Sequence, residues 1–303
     1  MKKSGGGIKR FYQTISTIYT QGEIIQGAII IAYYVLFSIF PVIMIVGNIL
    51  PLFHIDTAPI AEYLNLILPE QISHYIIPII NSLLKNKSTG YISFGIVTAL
   101  WTFSNLVNAI RIGMNRIYDV HKVELNLSLL SFLWNRGVTI LLTGVILMLF
   151  TVFSLALIFG QQILGLLRPI FGFSLGKMVT LFNYKYPVLL TLITLLVAYL
   201  NYALPNIDLR KRVIWPGVIT TVLGWIALSF GFSFYLHNFR ISWENYGIVG
   251  TFIIFMMWLH LTALLLLFGT CVNATIVRMR YGQVNFSSGR VASYIQQRRR
   301  SAK

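Results

Sequence analysis

The sequence predicts an all-α integral membrane protein: a polytopic bundle of six transmembrane helices with both termini on the cytoplasmic side. Three observations lead there. Of 303 residues, 56% are hydrophobic and only 11% are charged, whereas a soluble domain carries about 25% charged residues. Six apolar stretches are long enough to cross hydrocarbon, which takes about 20 residues of helix. The basic residues, finally, are segregated between alternate connections. A closed barrel is the other structure that satisfies its backbone in lipid, but its strands alternate apolar and polar residues, and these runs do not.

Residues 1–27 read as a cytoplasmic N-terminal segment carrying Lys2, Lys3, Lys9 and Arg10, with Gly5-Gly6-Gly7 as a flexible run. A basic segment before an apolar run resembles a signal peptide. The run at 28–53 is too long for that, however, and no small-x-small cleavage site follows it. It is the first membrane helix. The others are expected at 91–112, 137–159, 186–204, 213–236 and 246–277, so that the membrane domain covers 28–277. The first and last are long enough to tilt. The fourth is short, and Tyr184, Lys185 and Tyr186 at its entrance fit an interfacial anchor.

The outer loop at 54–90 is the largest connection. Ile60, Leu64, Ile67 and Leu68, then Ile72, Ile76, Ile79, Ile80 and Leu83, follow helical spacing between Pro59, Pro69 and Pro78. This pattern predicts short amphipathic helices on the outer membrane surface or capping the bundle. Residues 278–303 form a basic tail ending near Arg298-Arg299-Arg300 and are expected to be disordered. Such a tail is attracted to anionic inner-leaflet lipids by about 1 kcal/mol for each base near the surface.

Eighteen of the 24 Lys and Arg fall on one side of the six runs. They lie in the N-terminal segment, near the second-to-third connection (Arg111, Arg116, Lys122, Arg136), in Arg210-Lys211-Arg212 and in the tail. Cytoplasmic connections carry this excess, which sets both termini inside. The +16 net charge is thus distributed by membrane side. It does not form the basic stripe with interleaved aromatics that binds nucleic acid, and no nucleic-acid partner is expected.

The most informative polar pattern lies in the second membrane run. Ser104, Asn108, Arg111 and Asn115 are spaced to share one helix face, with Asn105 beside them. Polar groups in hydrocarbon need partners, so the stripe should face the bundle interior or a wet cavity. It can line a path for a solute or lipid headgroup, Arg111 favouring an anion. It can equally serve helix–helix hydrogen bonding, with Arg111 snorkelling to the interface. In the first run Tyr34, Ser38 and Pro41 share a face. Pro41 frees the carbonyl of Phe37, which makes a hinge or simply a bent helix. His260, mid-way along the sixth run, is either an intramembrane functional group or a neutral, hydrogen-bonded histidine. Gly269 and Asn273, one turn apart, suit close helix packing with an amide bond.

Catalytic patterns are missing from the sequence. None of the five histidines pairs with an acid or another histidine at metal-ligand spacing. There is no phosphate-binding glycine loop or serine nucleophile motif. No metal, cofactor or enzymatic activity is expected. Cys271 is the one cysteine, so no disulfide closes within the chain.

Several short motifs recur in a recognisable order: Ala32-Tyr33-Tyr34, Phe40-Pro41, Trp101-x-x-Ser104, Asn115-x-x-Tyr118, Leu204-Pro205-Asn206, Trp215-Pro216-Gly217, Tyr246-Gly247 and Gly269-x-x-x-Asn273. Over about residues 20–280 the chain resembles the YihY/virulence factor BrkB family, once labelled ribonuclease BN. The resemblance implies a six-helix protein of the bacterial cytoplasmic membrane and no settled activity. Transport or flipping of a small solute or lipid is the leading expectation. A non-catalytic scaffold in envelope assembly is the alternative. The ribonuclease label comes third, because hydrolysis of RNA asks for clustered metal ligands or an acid–base pair.

Overall fold

The computed structural model describes residues 4–49, 90–120, 185–207, 213–238 and 247–282, together with 73, 77, 78 and 137. These residues are all-helical apart from short turns. Among the described residues six helices run in order: α1 (Ser4–Gln21), α2 (Ile24–Ile49), α3 (Gly90–Ile117), α4 (Lys185–Ala203), α5 (Trp215–Asn238) and α6 (Gly247–Tyr281). The expected third span at 137–159, the outer loop at 54–90 and the tail beyond 282 lie outside the described residues, save for single positions.

Helices α2 to α6 fall where five of the six apolar runs were expected, with shifts at their ends. Helix α2 starts four residues earlier than expected and is described as far as Ile49. Helix α3 runs on to Ile117, and α6 continues one turn into the expected tail, to Tyr281. Helix α1 is an addition. The sequence suggested only a segment with a flexible glycine run, yet Gly5, Gly6 and Gly7 are helical. Among the described residues, three helices contain stretches long and apolar enough to cross a membrane: Ile24–Pro41, Trp215–Leu236 and Phe252–Tyr281. The apolar stretch Pro187–Ala203 is shorter. Helix α3 has ample length, but its polar stripe lowers its hydropathy.

The lipid-facing surface is visible in the exposure pattern. On α5, Trp215, Ile219, Leu223, Ile226, Phe230 and Phe234 are all exposed, Phe230 at 75% and Phe234 at 69%. Their spacing of three and four draws one apolar stripe along the helix. Ile25, Ile29, Tyr33 and Phe37 do the same on α2. A contiguous apolar face of this size is not left to water. Hydroxyls near such faces bond back to their own helix, which hides them from hydrocarbon. Thr191 and Thr194 donate to the carbonyls of Pro187 and Leu190, each at 2.8 Å.

The interior is built on glycine. Leu267 of α6 wedges between α2 and α3: a Cβ added at Gly27 would lie 3.0 Å from Leu267 Cδ1, and one at Gly113 would lie 3.1 Å from its Cδ2. Helices α5 and α6 cross at Gly217 and Gly269. A Cβ on Gly217 would fall onto the Gly269 carbonyl oxygen, and one on Gly269 onto Thr221 Oγ1. Small residues let membrane helices approach so closely. Further along the seam Trp225 Nε1 donates to the Thr262 carbonyl at 2.9 Å.

Four chain segments meet at one end of the bundle. Ile15 of α1 lies against Cys271 of α6, its carbonyl 3.8 Å from Sγ. Gly22 sits against Ile117 of α3, and the Arg116–Glu23 ion pair closes at 2.6 Å. Asn206, between α4 and α5, donates its N–H to Asn115 Oδ1 of α3 at 2.9 Å. The end of α3 is capped by a Schellman turn: Val120 N–H bonds Asn115 O and Asp119 N–H bonds Arg116 O, both at 3.0 Å. Asp119 takes the left-handed conformation there, at φ 58°.

Candidate functional site

Arg111 is the central residue of the polar stripe on α3. It stands six residues before the last helical residue, Ile117, or about 9 Å up the helix axis. It is only 3% exposed, so its guanidinium sits inside the protein instead of snorkelling to the surface. Arg111 Nη2 donates to Asn108 Oδ1 at 3.3 Å. Ser104, Asn105 and Asn108 above it are half-buried. Asn115 below it is fully buried and holds the Asn206 amide. The stripe therefore grades from accessible amides, through an interior cation, to a structural bond at the end of the bundle.

The other expected site residues occupy a different face. Tyr34 and Ser38 follow Gly27 at seven and eleven residues on α2, and His260 precedes Leu267 by seven on α6. At 100° per residue they stay on the faces that meet at the Leu267 wedge. Tyr34 is half-buried and Ser38 buried, its Oγ donating to the Tyr34 carbonyl at 2.7 Å. His260 is half-buried, and its Nδ1 has no hydrogen-bond partner among the described residues. Ser104, Asn108, Arg111 and Asn115 lie roughly opposite Gly113 around α3, pointing away from α2 and α6. The structure thus gives two separate polar groups. Pro41, read as a hinge or simply a bend, is buried within a helix that continues through it to Ile49.

A third polar group was only half visible in the sequence. Asn273 Oδ1 accepts from the Gly217 N–H at 2.7 Å, and Asn273 Nδ2 donates to Asn201 Oδ1 of α4 at 3.1 Å. Thr270 Oγ1 lies 3.1 Å from the same Asn201 oxygen, and Asn201 Nδ2 donates to the Val197 carbonyl at 3.0 Å. All three side chains are at most 2% exposed. Gly269-x-x-x-Asn273 suggested the α6 half of this junction. The signal for Asn201 was a lone amide in an apolar run, which needs a partner in a membrane. Each amide and hydroxyl is used within the protein, so the junction is a clasp tying α4, α5 and α6 together.

Apolar outer stripes, a glycine-packed interior and polar groups held between helices define a helical integral membrane protein. The chain belongs to the virulence factor BrkB family, whose profile matches residues 15–290. It is 29% identical over 278 residues to YfkH of Bacillus subtilis strain 168, a protein described as ribonuclease-like, and the match spans 88% of this chain and 94% of that relative. A UPF0761 membrane protein of Nitrosospira multiformis is 30% identical over 95 residues, which is 31% of this chain and 22% of the relative. No solved structure matches the chain significantly.

Proposed function

We propose that this protein moves a small anionic solute or an anionic lipid across the bacterial cytoplasmic membrane. The observation that carries the reading is Arg111, a guanidinium 3% exposed on a membrane-domain helix and approached by half-buried amides. A cation at such depth is costly, and membrane proteins keep one there chiefly where it meets an anion or a pathway. Arg111 would bind the anionic group, and Asn108, Asn105 and Ser104 would replace water along the approach.

The reading includes six spanning helices with both termini in the cytoplasm. The meeting of α1, the end of α3, the α4–α5 connection and the end of α6 at one end of the bundle supports it, as does the clustering of bases in those segments. Reporter fusions at Lys177 and Lys211 should land on opposite sides of the membrane; the same side for both refutes the topology.

Transport is tested with purified full-length protein in proteoliposomes, using labelled anionic lipids and small anions. Flux that depends on the protein and falls in Arg111→Ala and Asn108→Ala is the expected result. The reading fails if no probe moves and both variants leave the cellular phenotype intact. The buried, bonded state of Asn115 favours a second reading, a scaffold for envelope assembly, which requires stable protein partners on crosslinking in cells. A ribonuclease activity, as the description of YfkH would suggest, draws no support from the donor set: among the described residues no three His, Cys, Asp or Glu side chains gather as metal ligands.

A further inference from the structure

Helix α1 is amphipathic, and its apolar arc is longer than the surface the protein covers. Around the helix, at 100° per residue, Ile18, Phe11, Gly22, Ile15, Ile8, Tyr19 and Tyr12 follow one another across a single arc. The C-terminal part of that arc is seated on the bundle: Ile18 is 3% exposed, Tyr19 packs against the core, Gly22 abuts Ile117 and Ile15 abuts Cys271. The N-terminal part is left open, with Ile8 at 61% and Tyr12 at 68% exposure. Lys9 and Arg10 are exposed on the remaining polar surface, and the helix contains no acidic residue. Lys9 lies next to Tyr12 around the helix, placed to extend its stem over the apolar edge with the ammonium outward.

We propose that α1 is an interfacial helix that docks on an anionic phospholipid surface. Ile8 and Tyr12 enter the headgroup–acyl boundary, and Lys9 and Arg10 meet lipid phosphates. Two observations select lipid as the occupant. Helix α1 is joined, through the tight turn at Gly22 and Glu23, to the helix whose lipid-facing stripe begins at Ile25, which tethers its open apolar end to an element already facing hydrocarbon. Its exposed charge is wholly positive, complementary to anionic headgroups. This docking is independent of the transport reading and involves a segment separate from the basic tail.

The test uses full-length protein in nanodiscs holding one copy each. Cys271 is fully buried, so a cysteine added on α1 takes up a thiol-reactive fluorophore selectively. Ile8→Cys, Tyr12→Cys, Gln13→Cys and Thr17→Cys sample both sides of the helix. In discs of phosphatidylcholine with phosphatidylglycerol, labels at 8 and 12 should be quenched by spin-labelled lipid, and labels at 13 and 17 by aqueous iodide. Lys9→Glu with Arg10→Glu should reduce lipid quenching at position 12 in these discs and leave it unchanged in pure phosphatidylcholine. Each base shifts the docking equilibrium about fivefold. Iodide quenching at 8 and 12 equal to that at 13 and 17 overturns the docking. Equal lipid quenching in both disc types overturns the headgroup assignment. Shielding of 8 and 12 only when two copies share a disc replaces lipid with a second chain.

Discussion

Two alanine substitutions on one helix separate the close crossing of α5 and α6 from every general effect of replacing glycine. A Cβ on Gly217 would fall onto the Gly269 carbonyl and lie 2.5 Å from the Asn273 amide carbon, whereas nothing lies within 4 Å of one on Gly231. Both changes gain helix propensity, about 0.5–1 kcal/mol for alanine over glycine. At Gly231 that gain stands alone. At Gly217 the obstacle is a backbone oxygen of the partner helix, so the helices themselves must part. Overpacking of this kind costs about 1–3 kcal/mol. Parting also strains the 2.7 Å bond from Gly217 N–H to Asn273 Oδ1, and a buried polar group left unmatched costs about 1–3 kcal/mol. Gly217→Ala should therefore lose about 1–5 kcal/mol net, and Gly231→Ala should be neutral or slightly stabilised. Equilibrium unfolding in mixed dodecylmaltoside–SDS micelles, followed by circular dichroism, measures both. Equal stability of the two variants would refute the crossing.

Asp119→Gly should stabilise the protein by about 0.5–1 kcal/mol in the same assay, because the left-handed conformation strains a residue with a Cβ; Asp119→Val should destabilise it. Asn115→Ala removes the acceptor of the Asn206 N–H. It should cost about 1–3 kcal/mol and speed hydrogen exchange at the Asn206 amide, while the Val120 amide, bonded to the Asn115 backbone carbonyl, keeps its protection.

Much of the fold was legible because lipid imposes so strong a rule: apolar runs of sufficient length become helices. That rule placed α2, α4, α5 and α6 within a few residues. It was weakest at α1, where three glycines and several threonines argue against a helix by propensity. Packing of Ile15 and Ile18 on the bundle outweighs that preference. The spacing of Ser104, Asn108, Arg111 and Asn115 put these residues together on one face of α3. Spacing alone could not say that this face turns away from Tyr34, Ser38 and His260, because that depends on which face α3 presents to the Leu267 wedge. The clasp of Asn201, Thr270 and Asn273 was hidden for the same reason: its members are far apart in sequence and meet only when α4 and α6 pack.

The most direct measurement of the central claim compares transbilayer movement of fluorescent phosphatidylglycerol and phosphatidylcholine in proteoliposomes, together with efflux of small labelled anions, for the unaltered protein and Arg111→Gln. Loss of a charged hydrogen-bonding partner worth about 1.5–3 kcal/mol corresponds to roughly a tenfold or greater fall in rate. The expected result is protein-dependent movement of an anionic probe that drops by about that factor in Arg111→Gln, with the variant as stable as the parent. Rates identical to those of protein-free vesicles for every probe, or an unchanged anion rate in a stable Arg111→Gln protein, would contradict the account.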